Sequence, residues 1–250
     1  MPMEPGRGDG RPGPVLPGVG LDAEQVARFD KLAAGMTPWR YVYSDREIRH
    51  LAAQPQAARA FCAAFCCKEA FCKALGESYS FPQLECFYRA GDAEPELLLS
   101  PALAEGRGLE EVRVRVDDRF LGERGEMVAE VYLTRVAGSR RESLAVATVE
   151  AGRALIVEEH FAPGEIADLG NRRVQSLAGF LALKRALVDL WAGAGTAAPR
   201  DFELGHHESG APRIVAAPAG VVPESTLISI SHTRTWAYGL AAIREREGRR

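Results

Sequence analysis

The stretch Phe65-Cys-Cys-Lys-Glu-Ala-Phe-Cys-Lys-Ala-Leu-Gly76 decides how the rest of the chain is read. It closes a predicted helix over Pro55–Leu75, and Gly76 is a good stop because glycine enters the left-handed conformation at a helix end without steric cost. Phe61, Phe65 and Cys72 leave little of this helix polar. Glu69 and Lys73 are four residues apart and share one face. On an open surface such a pair contributes about 0.2–0.5 kcal/mol; on so apolar a helix it is expected to line a cleft instead. Cys62 and Cys66 are also four apart. No histidine or second cysteine pair stands near them at ligand spacing, so they read as buried structural thiols.

The second half of the chain repeats the layout of the first. Tyr43-Ser-Asp-Arg-Glu-Ile48 precedes the Pro55–Leu75 helix, and Phe161-Ala-Pro-Gly-Glu-Ile166 precedes a second predicted helix over about Arg172–Trp191. Setting Lys68-Glu69 against Lys184-Arg185 aligns the two helices with a two-residue gap after the shared Glu-Ile. Strand-forming segments follow each helix: Leu84–Tyr88, Val112–Val116 and Met127–Val136 in the first half, Asp201–Leu204, Leu227–Ser231 and Trp236–Ile243 in the second. Order and spacing, not identity, carry this reading of an internal repeat. The expected fold class is α+β, two pseudo-twofold-related units, each a long helix packed on a small antiparallel sheet. The boundaries follow composition: a Gly/Pro-rich, disordered 1–14; a first half over 15–136; a polar linker over 137–143; a second half over 144–243; and a solvated tail over 244–250.

Two further stretches bear candidate chemistry. In Gly20-Leu-Asp-Ala-Glu24 the carboxylates are two apart, so on an extended segment they project to the same side. Paired hard oxygens at a strand end can begin a Mg²⁺ site; the competing reading is an acidic cap, with Asp22 starting a helix at Ala23. Leu227-Ile-Ser-Ile-Ser-His-Thr233 ends an apolar strand on Ser229, Ser231 and His232. A histidine there is placed to contact phosphate or carry a proton, although a lone histidine is often structural.

The totals bound the function. The chain has 250 residues, is 46% hydrophobic and carries a net charge of −3, so no global charge points to nucleic acid. No apolar run approaches the roughly 20 residues of a membrane span. The first residues lack the apolar core of a signal peptide, and the cysteine count is odd at five. Together these predict a cytoplasmic protein without a disulfide framework.

Taken together, GLDAE, KEAFCKALG and SISHT resemble the motifs of the 4′-phosphopantetheinyl transferases, over most of residues 18–243. The resemblance implies transfer of the phosphopantetheine arm of coenzyme A to a serine of an acyl, polyketide or peptidyl carrier protein, with Mg²⁺ as cofactor. It implies Asp22, Glu24 and Glu69 as metal ligands. Glu69, Lys73 and Asp22 are then the catalytic set, with Ser231 and His232 at the nucleotide end of coenzyme A. Ser176 resembles a hydroxyl beside the cofactor. Arg172 and Arg173, with Lys184 and Arg185, are a basic cluster for its phosphates, although a solvated helix face explains Lys184 and Arg185 equally well.

The family also implies an arrangement. Its small members are single units that trimerise; its larger, surfactin-synthetase type fuses two units into a monomer with one site between them. In that type the S-x-S-H half comes first, whereas here the metal half leads. Each half lacks what the other keeps: Val112–Asp118 holds no histidine, and Lys184-Arg185 and Val149-Glu-Ala-Gly152 stand for the K-E and G-x-D-x-E motifs. The family's G-K-P lysine is replaced in Gly210-Ala-Pro-Arg213, with Arg213 the available substitute. The alternative function is a carrier-protein or coenzyme A-binding module of the same fold that has lost turnover; a third is an acyl-CoA-binding enzyme without transferase activity. The carrier (fatty-acid, polyketide or peptide) is not specified by these residues.

Overall fold

The computed structural model describes residues 18–35, 39–77, 80–89, 95–107, 109, 111–134, 144–150, 157–166, 174–192 and 197–243. The expected disordered start, the linker and the tail lie outside them.

The first half begins with strand β1 (Val19–Gln25), a 3₁₀ turn at Val26–Phe29 and short α1 (Asp30–Ala33). Helices α2 (Asp45–Ala52) and α3 (Ala57–Leu75) follow, then β2 (Leu84–Phe87), β3 (Glu96–Leu99) and α4 (Pro101–Arg107). It closes with β4 (Glu111–Asp117), α5 (Leu121–Arg124) and β5 (Glu126–Thr134). The second half has β6 (Leu144–Glu150), short α6 (Val157–His160) and α7 (Pro163–Ile166), and long α8 (Val174–Leu190). Strands β7 (Glu203–His206), β8 (Pro212–Ala216), β9 (Thr226–His232) and β10 (Trp236–Ile243) complete it. The fold is α+β. Two antiparallel sheets have matching orders, β1-β5-β4 and β6-β10-β9, and each half adds a hairpin, β2-β3 or β7-β8.

Helix α3 ends as expected: Gly76 has φ 70°, and its N–H reaches the Cys72 and Lys73 carbonyls. Its inner face is built of alanine and cysteine, which lets β1 come unusually close. A Cβ on Gly20 would lie 1.7 Å from the Ala70 carbonyl oxygen, and one on Gly18 would lie 1.9 Å from that of Ala74. Only glycine fits there. All five cysteines are free and buried, and the Sγ of Cys66 and Cys86 approach the carbonyls of Met127 and Ala64. They are small packing residues, as read from the sequence.

The aligned lysines hold matching positions. Lys68 Nζ donates to Glu47 Oε2 at 2.7 Å and to the Val42 carbonyl at 2.7 Å, while Glu47 Oε1 accepts the Cys86 N–H. In the second half Lys184 donates to Glu165 and to the Phe202 carbonyl, and Glu165 Oε1 accepts the Leu204 N–H at 3.0 Å. Each ammonium also lies 5.0 Å from an aromatic ring, Tyr43 or Phe161. Both pairs are sealed from solvent. Burial raises the Glu47 carboxyl above its ordinary range, although Lys68 opposes the shift. It lowers the Lys184 ammonium, with Glu165 opposing. Each pair locks the turn before the long helix to the strand after it. The two-residue gap after Glu-Ile is therefore real, since the pairs hold equivalent places in the two halves while their partners stand 21 and 19 residues apart. Lys184 also leaves the expected basic cluster, because its charge is spent inside the fold.

The sheets meet through Val19, Leu21, Ala23, Val128 and Tyr132 on one side and Tyr238, Leu240 and Ala242 on the other. Each large aliphatic side chain buried there contributes about 1.5–3 kcal/mol. The contact brings edge strands β1 and β9 side by side. The outward N–H groups of Leu21 and Ala23, which β5 cannot reach, donate to Ser229 Oγ at 3.0 Å and Ser231 Oγ at 3.2 Å. The ladders also correct one correspondence between the halves. Gln25 pairs with Glu126 at the start of β5, and Glu150 pairs with Trp236 at the start of β10. The counterpart of Gly20–Glu24 is thus Ala145–Val149, not Val149–Gly152. Ala147 and Val149, which stand where Asp22 and Glu24 do, pack in the apolar core beneath α8.

Candidate functional site

Strand β1 delivers Asp22 to the seam between the sheets. Asp22 belongs to a strand paired with β5, so the reading of it as a helix cap is wrong. It is 7% exposed. Its Oδ1 accepts Lys73 Nζ at 2.8 Å from α3 and Ser231 Oγ at 2.9 Å from β9. Lys73 does not complete the simple helical pair with Glu69: its ammonium also donates to the Leu21 carbonyl at 3.0 Å and the Ile230 carbonyl at 3.4 Å. It therefore bridges both halves. Glu69, half-buried one turn earlier on the same face, has its carboxyl raised above the ordinary range by burial and then by the nearby Asp22 charge, with Lys73 opposing.

These groups open onto a cleft of about 560 Å³. The first half lines it with Asp22, Glu69, Cys72, Lys73, Gly76 and Glu77; the second half contributes Ser176 and Phe180 from α8, Ser229–His232 from β9, and His206 with Ser209–Pro212 from the β7–β8 hairpin. Of the residues expected from the sequence, Asp22, Glu69, Lys73, Ser176, Ser231 and His232 are brought together.

Others are placed elsewhere. The Glu24 carboxylate accepts the Gln25 N–H at 2.8 Å and pairs with Arg28 one turn on, away from the cleft. Among the described residues no three of His, Cys, Asp and Glu are gathered as a metal site. Arg213 is exposed on the hairpin and does not line the cleft, though Gly210, Ala211 and Pro212 beside it do. A Cβ on Gly205 would lie 3.5 Å from Arg213 Nε, so this side chain runs across β7 instead. Arg172 and Arg173 lie outside the described residues.

Phe180 and His206 are cleft residues that the sequence did not single out. His206 stacks on Phe180, with ring centroids 5.0 Å apart and 30° between planes. The available signal was alternation: Phe202, Leu204 and His206 project to one face of the chain, toward α8.

Residues 18–107, which carry Asp22, Glu69 and Lys73, match the family model described as ACPS, 4′-phosphopantetheinyl transferase superfamily. The match ends before the β9 serines, so the transferase family's model covers one wall of the cleft only. No curated protein matches the sequence. Among solved structures, the chain is similar to the holo-[acyl-carrier-protein] synthase of Neisseria meningitidis, with 23% identity over 47% of this chain and 97% of that one, at a TM-score of 0.40. The synthase of Thermotoga maritima is 22% identical over 58% of this chain and 74% of its own, with a TM-score of 0.37. That of Helicobacter pylori, solved in complex with coenzyme A, is 20% identical over 40% and 99%, with a TM-score of 0.34.

Proposed function

We propose that this chain transfers the 4′-phosphopantetheine arm of coenzyme A to a serine of a carrier protein, releasing 3′,5′-adenosine bisphosphate. The observation that carries this reading is the convergence of Asp22, Glu69 and Lys73 from one half with Ser231 and His232 from the other on a single cleft. We read the halves as two fused units, 15–136 and 144–243, acting as a monomer in the cytoplasm. Opposite termini of one site then come from each unit.

The cleft suits a divalent cation. Asp22 and Glu69 present hard oxygens close enough for the Asp22 charge to raise the Glu69 carboxyl, and the Lys73 ammonium already sits on Asp22 as positive charge. Asp22 and Glu69 would hold magnesium, and Glu24 would join them on leaving Arg28. Bound there, the ion would supply positive charge to offset that of the phosphates. The chain's own groups do the rest. The serine hydroxyl forms its bond to the β-phosphorus as the bond to the α-side oxygen breaks. Lys73 supplies a mobile positive charge to the phosphates. Glu69, poised by its raised affinity for a proton, takes the one released from the serine hydroxyl. His232 and Ser176 hold the nucleotide end of coenzyme A.

Intact-mass measurement on an apo carrier protein, incubated with this chain, coenzyme A and Mg²⁺, tests the reading. A gain of the phosphopantetheine mass supports transfer. Binding of coenzyme A with no mass gain, on carriers of all three synthase classes, points to a module without turnover.

A further inference from the structure

We propose that Glu126, a buried carboxylate outside the cleft, is the positioning residue that fixes His232 for coenzyme A. The proposal rests on the transferase reading above. Beyond Ser229 and Ser231, the residue just past β9 continues the alternation with a third hydroxyl, that of Thr233. The first two capture outward N–H groups of β1. The third is itself captured: Thr233 Oγ1 donates to Glu126 Oε1 at 2.5 Å. Glu126 is 0% exposed and opens β5, paired with Gln25 at the end of β1. Its Oε2 accepts the Tyr238 hydroxyl from β10.

Thr233 organises the turn that follows His232. Its Oγ1 accepts the Trp236 N–H at 3.1 Å and the Thr235 N–H at 3.3 Å, and its own N–H donates to the Trp236 carbonyl at 2.8 Å. Arg124 closes the cluster, with its guanidinium 3.4 Å from the Trp236 ring centroid. His232 is therefore held between two anchors that both reach the first half. On one side Ser231 bonds Asp22 and the Ala23 N–H; on the other Thr233 bonds Glu126. His232, exposed at the cleft, makes no such bond of its own that fixes its backbone to the first half. A rotation of its backbone moves the imidazole away from any ligand in the cleft, and the Glu126 bond opposes that rotation. Charge-assisted hydrogen bonds of this kind hold geometry as well as energy.

The test compares Thr233→Val, which keeps the shape and removes the hydroxyl, with Thr233→Ser, which keeps the hydroxyl. Coenzyme A affinity is read by calorimetry and the carrier-protein KM by transfer kinetics. Thr233→Val is expected to weaken coenzyme A binding about tenfold, with the carrier KM and kcat within about twofold, and Thr233→Ser to restore it. Tyr238→Phe, which removes the second bond to Glu126 and keeps the ring, should weaken coenzyme A binding in the same selective way, and it serves where Thr233→Val fails to fold. Folded variants with wild-type coenzyme A affinity, or with equal losses toward both substrates, overturn the role of Glu126. A wild-type chain that binds no coenzyme A and modifies no carrier overturns the transferase reading instead.

Discussion

Ser231 Oγ donates to Asp22 Oδ1 at 2.9 Å while it accepts the Ala23 N–H at 3.2 Å. One hydroxyl from the second half thus satisfies the backbone and orients the carboxylate of the first. The bond is buried, so losing it leaves a β1 donor without a partner, a cost of about 1–3 kcal/mol. Ser231→Ala should lower the melting temperature and reduce kcat/KM for transfer about tenfold or more. Steady-state kinetics beside a thermal melt check this. A variant with both quantities unchanged would contradict the bridging role.

The two buried lysine pairs predict non-additivity. Lys184→Met leaves the buried Glu165 carboxyl without its ammonium partner, at a cost of about 3–5 kcal/mol. Lys184→Met with Glu165→Leu removes both charges and should recover much of that loss. Urea unfolding of the two single variants and the double variant measures the coupling. Purely additive losses would mean that the residues do not act as a pair.

Glu47 fixes the sign of a pH effect. Burial raises its folded-state pKa above the unfolded value, so between the two values the folded state holds more protons. Its contribution to stability is full below the ordinary glutamate range, about pH 4.3, and is lost as pH rises through the folded value. The stability of wild type relative to Glu47→Gln should therefore narrow as pH rises across that window. Urea midpoints at several pH values read it out, and a difference that widens with rising pH would contradict the burial argument.

Gly20 faces the Ala70 carbonyl with no room for a methyl group. Gly20→Ala should destabilise the chain by at least ~3 kcal/mol, at the upper end of overpacking costs, because the obstacle is backbone. Gly122, with nothing within 4 Å of an added Cβ, is the control. Equal stability of Gly20→Ala and Gly122→Ala would show that β1 and α3 are not so closely packed.

Much of the fold was legible because both halves obey one pattern. The Glu-Ile turn, the aligned lysine and the apolar strands marked matching elements, and the buried Glu47–Lys68 and Glu165–Lys184 pairs account for the alignment. Strand β3 and helix α4 escaped notice, since short segments such as Glu96–Leu99 carry too few residues for a period to emerge. The convergence of the candidate residues was legible where chemistry and spacing agreed, as at Asp22, Glu69 and Ser231, which line one cleft. The pairing of Glu24 with Arg28 one turn later and the run of the Arg213 side chain across β7 were not legible, since both are rotamer choices made by the folded surroundings. Lys184 looked like surface charge because its partner, Glu165, is nineteen positions away. Glu126 carried no signal at all, since its meaning depends on a turn more than a hundred residues later.

The most direct test follows carrier-protein mass over a Mg²⁺ titration, for wild type and for folded Asp22→Asn and Glu69→Gln variants. Wild type should show a metal-dependent gain of the phosphopantetheine mass, and either variant a gain at least ~100-fold slower, the scale of losing one strong electrostatic contact in a site. Wild-type rates in both variants, or no mass gain by the wild-type chain at any Mg²⁺ concentration, would contradict this.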